Sequence, residues 1–165
     1  MSKPENVSSE ILSSVAPCSM FCSTCTGYKN GEISFHAQEL LKLLNGYKEF
    51  LEKNLKDEYK YKLDEFITFE KSLKKYDYPK CGGCRNGGAT GCSIKGCFIS
   101  KCTKEHKVNY CGECDLFPCG KVNNKVFKDT VIKKWYDGSM RIQEIGISSY
   151  YEEKKNTSHY TSFKK

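Results

Sequence analysis

The sequence predicts a small, mainly α-helical protein. A helical hairpin and a C-terminal helix flank a loop-rich cysteine block that metal ions organise. Three observations predict this fold. Apolar residues recur at helical spacing over residues 33–76, which contain no cysteine. The eleven cysteines fall on either side of that segment. A third apolar stripe follows the last cysteine and predicts the C-terminal helix.

The cysteine-free segment is predicted to form an antiparallel helical hairpin. Its two apolar stripes run from Ala37 to Leu55 and from Tyr59 to Leu73, at steps of three and four residues. Gly46 lies inside the first stripe, where glycine is unfavourable for a helix. The two helices are expected to pack through these stripes, because an amphipathic helix buries its apolar face.

The cysteine block covers residues 81–119 and contains eight of the eleven cysteines together with seven glycines. It shows no sustained hydrophobic period, so it is predicted to consist mainly of loops. A loop-rich block of this size buries too little apolar surface to offset the entropy of ordering its backbone. Cross-links are therefore required, and metal ions bound by the cysteines would supply them.

The domain boundaries follow from composition. Residues 1–14 and 151–165 are polar and are predicted to be flexible ends. A single cysteine-rich, metal-binding domain is expected over 15–150, which suits a chain of 165 residues. Within it, the C-terminal helix is predicted over 121–137 and is expected to end at Gly138, and a short helix near Met140–Ile145, or one running on to Tyr151, is expected to follow.

The N-terminal sequence, MSKPENVSSEILSSVAP, lacks the basic region and long apolar run of a secretory signal. No run of eighteen apolar residues is present either, so no membrane association is expected. These features predict a cytoplasmic protein, in which thiols stay reduced. Clustered cysteines in that compartment are metal ligands more often than disulfides, and an odd number of them disfavours a complete disulfide framework.

The formal net charge of +7 raises the question of nucleic-acid binding. Two zinc sites of four thiolates would each carry about −2, which lowers the net charge to about +3. The basic residues are 25 lysines and only two arginines, whereas arginine is the usual bidentate ligand of phosphate and guanine. Nucleic acid is therefore not the favoured partner.

All eleven cysteines are predicted metal ligands. They are Cys18, Cys22, Cys25, Cys81, Cys84, Cys92, Cys97, Cys102, Cys111, Cys114 and Cys119. Two pairs have C-x-x-C spacing with glycine after the first cysteine, CGGC at 81–84 and CGEC at 111–114. This spacing lets two sulfurs face one ion, so the two pairs are predicted to form the halves of one four-thiolate zinc site.

The N-terminal trio, CSMFCSTC at 18–25, supplies three thiolates and needs a fourth ligand from the second group. Cys119 is one candidate, and the others are Cys92, Cys97 and Cys102. The same spacing occurs in the radical-SAM iron–sulfur motif, but that chemistry requires a larger fold than the rest of the chain can build. His106 is a weaker candidate for a further ligand, because a single histidine between charged residues is more often surface.

Zinc is the favoured metal, with two or more ions per chain, because four-thiolate sets are typical structural zinc sites. An iron–sulfur cluster is the alternative, since cysteine clusters hold either metal. Thiol redox chemistry of the thioredoxin type is disfavoured. CGGC is followed by RNGGATG, without the helix N-terminus that lowers a thiol pKa.

The arrangement of cysteines resembles a family of short, cysteine-rich prokaryotic proteins catalogued as domain of unknown function 3795. The resemblance rests on four segments: APCSMFCSTC at 16–25, CGGCRNGG at 81–88, GCFISKCTKEHKVNYCGECDLFPCGKV at 96–122 and RIQEIGISSYYEE at 141–153. It implies a cytosolic, metal-binding protein and no particular activity. His106 does not match a ligand position of the family.

The favoured function is a structural zinc-binding interaction module with an unknown protein partner. One alternative is an iron–sulfur protein for electron transfer or sensing, and another is a nucleic-acid-binding zinc module. The chain has no H-E-x-x-H motif, no phosphate-binding loop and no nucleophile elbow, so no catalytic residues are assigned.

Overall fold

The computed structural model describes residues 7–85, 92, 94 and 96–161 of the chain. Their secondary structure is helical without β-strands, which confirms the prediction of a small, mainly helical protein. The helices are α1 (Ser9–Ser14), α2 (Glu32–Leu43), α3 (Tyr47–Asn54), α4 (Lys60–Asp77), α5 (Ile99–Glu105) and α6 (Asp129–Lys154). Short 3₁₀ helices lie at Asp57–Tyr59 and Cys111–Glu113. None of the helices in these ranges is both long and apolar enough to cross a membrane.

The hairpin contains three helices, because its predicted first helix is divided into α2 and α3. Gly46 adopts a φ of +84°, a left-handed conformation that interrupts the helix and that glycine adopts without strain. Both halves pack on α4. The ring of Tyr47 meets that of Phe66 edge-on at 5.0 Å between centroids, and the Ser34 hydroxyl donates to the Asp77 carbonyl at 3.1 Å.

The C-terminal helix differs from the prediction. It begins at Asp129 rather than at 121, continues through Gly138 and ends at Lys154, with a kink at Gly146, whose φ of +77° is not helical. The Asn123 side chain explains the late start, because its amide donates to the Gly120 carbonyl at 2.9 Å and its oxygen accepts from a later backbone N–H. Gly138 is required for close approach: a Cβ there would lie 2.5 Å from the Ser19 Oγ.

Both ends predicted to be flexible contain ordered contacts. Residues 9–14 form α1, whose Ile11 and Leu12 side chains pack against the core beside α6. In the tail, α6 extends past the predicted boundary at 151, and the His159 ring nitrogen Nδ1 lies 2.8 Å from the Phe21 carbonyl. Apolar residues within α1 and hydrogen bonds from the tail therefore fix segments whose overall composition is polar.

Helix α6 joins two apolar cores. The first core consists of Val15, Phe21, Tyr110, Ile142, Ile147 and Tyr150. The second consists of Ala16, Cys18, Ile99, Val122, Phe127 and Trp135. The N-terminal half of α6 contributes Trp135 to the second core, and the C-terminal half contributes the last three residues of the first. Segments from both cysteine groups are thereby packed against one helix.

Replacement of Tyr150 by phenylalanine tests the contact between α6 and the N-terminal loop. The Tyr150 hydroxyl donates to the Ser19 carbonyl at 2.7 Å, and both residues are buried. Loss of this bond should cost about 1–3 kcal/mol because the carbonyl is left without its donor, which lowers Tm by roughly 2–4 °C per kcal/mol. Tyr136→Phe on the same helix is the control, since Tyr136 is 42% exposed. Equal Tm values for the two variants would contradict a stabilising role for this bond.

Candidate metal centre

Four cysteines of the second sequence group surround one small cavity, of about 30 Å³. They are Cys102, Cys111, Cys114 and Cys119, and we call them the four-cysteine cluster. Helix α5 provides the first, the 3₁₀ turn at Cys111–Glu113 and its end provide the next two, and the last follows Pro118. Trp135 of α6 lies on the same cavity wall. Four cysteines from three separate segments therefore line one cavity.

The turn that carries two of these thiols is fixed from both sides. The Glu113 carboxylate accepts the backbone N–H groups of Asn109 at 2.7 Å and Tyr110 at 3.1 Å, which closes the turn. On the other side, Gly112 lies against α6 so closely that a Cβ would be 2.4 Å from the Ser139 carbonyl oxygen. The C-G-E-C sequence thus serves two purposes, since glycine permits the contact with α6 and glutamate caps the turn.

The electrostatics of the four-cysteine cluster favour occupation by a cation. Burial raises the pKa of the Cys111 thiol to about 11, and the neighbouring thiols of Cys102 and Cys119 act in the same direction. Trp135 lowers that pKa, because its indole N–H lies near the Cys111 sulfur. The same N–H is buried and has no hydrogen-bond partner of normal geometry within the described residues. A thiolate of Cys111 held by a metal would give this buried donor an acceptor, so the residues present fit a thiolate-bound ion.

The other seven cysteines form a second group, which we call the seven-cysteine cluster. Its members are Cys18, Cys22, Cys25, Cys81, Cys84, Cys92 and Cys97. Burial raises the pKa of Cys22 to about 12 and that of Cys84 to about 11, and nearby thiols of the same cluster raise both further. Thiolates at these positions would repel one another unless a cation lay among them.

Backbone contacts bring the N-terminal trio to the CGGC segment. Tyr28 and Cys81 form an isolated parallel β-bridge, in which the Cys81 N–H donates to the Gly27 carbonyl at 3.0 Å. The loop before this bridge is closed by a hydrogen bond of 2.9 Å from the Cys25 N–H to the Cys22 carbonyl. The bridge therefore places the loop of the first cysteine group beside the start of the second.

Arg85 connects the two clusters, a role that the sequence reasoning missed. Its guanidinium donates to the carbonyls of Leu12 at 3.1 Å and Asn109 at 2.8 Å, and it lies 4.8 Å from the centroid of the Tyr110 ring. It thus joins the segment after Cys84 to the residue that precedes the turn of the four-cysteine cluster. The sequence feature that could have indicated a special role for Arg85 is that the chain has only two arginines among 27 basic residues.

The grouping of cysteines differs from the predicted pairing. CGGC does not combine with CGEC, because the β-bridge holds Cys81 beside the N-terminal loop while the CGEC turn packs on α6. Cys119 lies with Cys102 and the CGEC thiols rather than with the N-terminal trio. Cys92 and Cys97 lie near that trio. Both were candidates for its fourth ligand, together with Cys102 and Cys119. His106 lines the four-cysteine cavity but is exposed.

The thiols of each cluster lie near one another but do not have the geometry of a metal-coordination sphere. Among the described residues, no three histidine, cysteine, aspartate or glutamate side chains converge on one point at the distance needed to hold an ion. All eleven cysteines are free of disulfide bonds. The two clusters therefore bring together potential ligands of one type from separate segments of the chain.

The fold and the two clusters define a small helical protein rich in free, clustered thiols. The chain belongs to the family described as Protein of unknown function (DUF3795), whose model matches residues 14–124. This match confirms the family resemblance over three of its four segments and contains all eleven cysteines, whereas the segment at 141–153 lies beyond it. No curated protein and no solved structure matches the chain at a significant level.

Proposed function

We propose that this protein is a zinc-binding structural module in which the four-cysteine cluster holds one zinc ion and the seven-cysteine cluster holds further zinc. The observation that carries the proposal is the single cavity faced by Cys102, Cys111, Cys114 and Cys119. Zinc takes four ligands in a tetrahedron, and sets made only of cysteine are typical of structural rather than catalytic sites. A catalytic zinc would keep an open position, for which histidine or carboxylate ligands are usual.

When bound, zinc would supply positive charge that stabilises thiolates and cross-links segments distant in sequence. The chain contributes the thiols and the surroundings that orient them. Glu113 holds the CGEC turn, Gly112 seats it on α6, and the Trp135 N–H is available to the Cys111 sulfur. The metal would thereby join α5 to the CGEC turn, which packs on α6 through Gly112.

The exposed apolar side chains of the hairpin support the interaction part of the proposal. On α2, Phe35 is 59% exposed and Leu43 is 79% exposed, and on α3 Phe50 is 56% exposed. Contiguous exposed apolar residues mark interaction surfaces more than scattered ones do, and Phe50 stacks on the 41% exposed Tyr47 ring at 6.0 Å between centroids. A protein partner that packs on α2 and α3 would cover them, while the metal-bound half of the molecule would serve as the rigid base.

A metal inventory tests the proposed function. Protein purified without oxygen and without added metal should be colourless and should contain zinc by elemental analysis and native mass spectrometry. Because burial raises the pKa values of the Cys22, Cys84 and Cys111 thiols, these three thiols are protonated at pH 7 in the metal-free protein. Zinc titrated into the reduced, metal-free protein should therefore release about four protons for each ion bound by four thiols. Affinity should rise with pH over the neutral range, because protons compete with zinc.

Two results would overturn the proposal. Iron with inorganic sulfide and a broad absorption near about 400 nm would assign the thiols to an iron–sulfur cluster instead. Absence of bound metal in the reduced protein, with no proton release on zinc addition, would leave the clusters as ordinary thiols. An alanine variant of His106 should retain the same zinc content and proton release, since a four-thiolate site requires no histidine.

A further inference from the structure

A cleft of about 470 Å³ lies between the N-terminal loop, α6 and the tail that follows α6. Its lining residues come from 19–21, from α6 between Lys134 and Lys154, and from 157–161, and they include none of the cysteines. Pockets for small organic ligands have volumes of about 300–1,000 Å³. The cleft is therefore large enough for a small molecule and is separate from the cavity of the four-cysteine cluster.

Hydrogen bonds between distant segments hold the walls of the cleft in place. The His159 N–H donates to the Thr24 Oγ1 at 2.9 Å, which fixes the tail on the N-terminal loop. The Lys134 ammonium donates to the His159 carbonyl at 2.9 Å, which fixes the tail on α6. The bond from Tyr150 to Ser19 joins the remaining two walls. The cleft is thus formed before any ligand enters, so a ligand need not order it.

The charges on the wall favour an anionic ligand. Three cationic and two acidic side chains line the cleft: Lys134, Arg141, Lys154, Asp137 and Glu153. Both carboxylates are already paired, Glu153 with Arg141, and Asp137 with Lys133 at 2.7 Å, from outside the cleft. Lys154 has no ion pair within the described residues, so its ammonium group adds positive charge to the cleft.

The second lysine, a hydroxyl group and an apolar side chain complete the site. Burial lowers the pKa of the Lys134 ammonium group, and the nearby Lys154 ammonium group lowers it further. An anion near both would relieve their repulsion. The Ser158 hydroxyl accepts the Tyr160 N–H at 3.2 Å and keeps its own proton to donate. Met20, which is half-buried, provides apolar surface on the same wall.

We propose that this cleft binds a small organic molecule with one anionic group, a carboxylate or a phosphate monoester, through Lys134 and Lys154. The Ser158 hydroxyl donates to the same anionic group, and the body of the molecule lies against Met20. The site is built without cysteine, so its existence does not depend on which metal the two thiol clusters hold. It gives the module a small-molecule ligand in addition to its metal.

Matched probes test the proposal on the full-length protein as purified. Phenyl phosphate and benzoate carry the two anionic groups on one ring, and benzamide carries the same ring without a charge. At least one acid should saturate a single site by calorimetry, whereas benzamide should not, and the tighter acid identifies the preferred group. Amide NMR shifts should concentrate on the residues that line the cleft and leave α2, α3 and α4 unchanged. These measurements need no variant.

Substitutions then identify the cationic contact. Lys154→Met should weaken binding of the acid about tenfold or more, because a charge-assisted hydrogen bond is lost. Lys154→Arg should retain most of the affinity. Lys155→Met is the matched control, since it removes the same charge one residue away, while Lys155 pairs with Glu152 at 2.6 Å and does not line the cleft. Circular dichroism and metal content verify that each variant is folded.

Three results would overturn the site. They are the absence of saturable binding by either acid, equal binding of benzamide, and NMR shifts confined to residues outside the cleft. An equal loss in Lys155→Met and Lys154→Met would assign binding to general surface charge and would also overturn it. None of these results affects the metal inventory, so the cleft and the zinc module can fail independently.

Discussion

Replacement of Cys114 by serine is expected to remove one zinc ion from the protein and to leave the seven-cysteine cluster loaded. Cys114 is one of the four thiols around the cavity beside Trp135. Serine is nearly isosteric but is a poor zinc ligand, and three thiolates hold a structural ion far less tightly than four. The apparent binding free energy of structural zinc, about 10–16 kcal/mol at neutral pH in small domains, is also folding free energy.

The loss of folding free energy in Cys114→Ser should therefore be large even if the three remaining thiols keep part of the zinc affinity. A decrease of about 3–5 kcal/mol in the free energy of unfolding would lower Tm by roughly 6–20 °C in a chain of this size. The measurement is thermal unfolding together with native mass spectrometry of protein purified without oxygen. Alkylation followed by peptide mapping should show Cys111 and Cys119 exposed to reagent, while Cys81 and Cys84 stay protected.

The protection of Cys81 from alkylation distinguishes the two possible groupings of the cysteines. Under the pairing predicted from C-x-x-C spacing alone, the Cys114 variant would release Cys81 and Cys84 as well. His106→Ala is the matched control, because His106 lines the same cavity but is exposed. This control should keep the full zinc content and Tm. Zinc content unchanged in Cys114→Ser would remove Cys114 from the ligand set, and loss in His106→Ala would show a mixed site.

The helical elements could be predicted where periodicity was strong. The stripe from Tyr59 to Leu73 gave α4 with nearly correct ends, because its apolar residues lie on one face of the helix, on which Phe66 is buried and Leu63 and Leu73 are half-buried. Gly46 could be identified in the sequence as an unfavourable residue within the first predicted helix. Periodicity alone does not indicate whether a glycine interrupts a helix or remains helical. Gly138, in contrast, remains helical, and its lack of a side chain allows Ser19 to approach the helix. That approach involves residues 119 positions apart and has no local signature.

The clustering of the thiols could be predicted more readily than the membership of each cluster. Cysteine spacing is local information, and it indicated the tight turn at CGEC, where the structure has a 3₁₀ helix over Cys111–Glu113. Which thiols meet depends on long-range contacts. The bridge of Tyr28 with Cys81 and the packing of Gly112 on Ser139 decide the grouping, and neither contact has a signal in the spacing. Trp135 illustrates the same limit, because its apolar stripe position predicted burial and not a donor beside Cys111.

Gly112→Ala is expected to destabilise the protein and weaken zinc retention together. A Cβ at this position would lie 2.4 Å from the carbonyl oxygen of Ser139 and 3.2 Å from its carbonyl carbon. Both atoms belong to the backbone of α6, and Ser139 is fully buried, so the neighbour has no flexible end that could move aside. Either the helix or the CGEC turn must shift. The turn is the shorter element, and its displacement moves the thiols of Cys111 and Cys114.

Overpacking of this kind typically costs about 1–3 kcal/mol. If the strain is released by moving the turn, the same free energy appears as weaker metal binding, which corresponds to roughly 5–150-fold in affinity. Competition with a chromophoric chelator measures the affinity, and thermal unfolding measures the stability. Restoration of stability by excess zinc would connect the two effects, since a ligand that binds only the folded state shifts Tm by mass action.

Gly120→Ala is the matched control for this substitution. Gly120 follows Cys119 directly, so it lies equally close to the four-cysteine cluster in sequence, but a Cβ there meets no atom within 4 Å. Alanine at this position should leave zinc affinity and Tm unchanged or slightly raise Tm, because it restricts the unfolded chain. If both alanine variants behaved alike, the contact of Gly112 with α6 would not determine the geometry of the thiols. A loss confined to Gly112→Ala would show that α6 positions the metal site through one backbone contact.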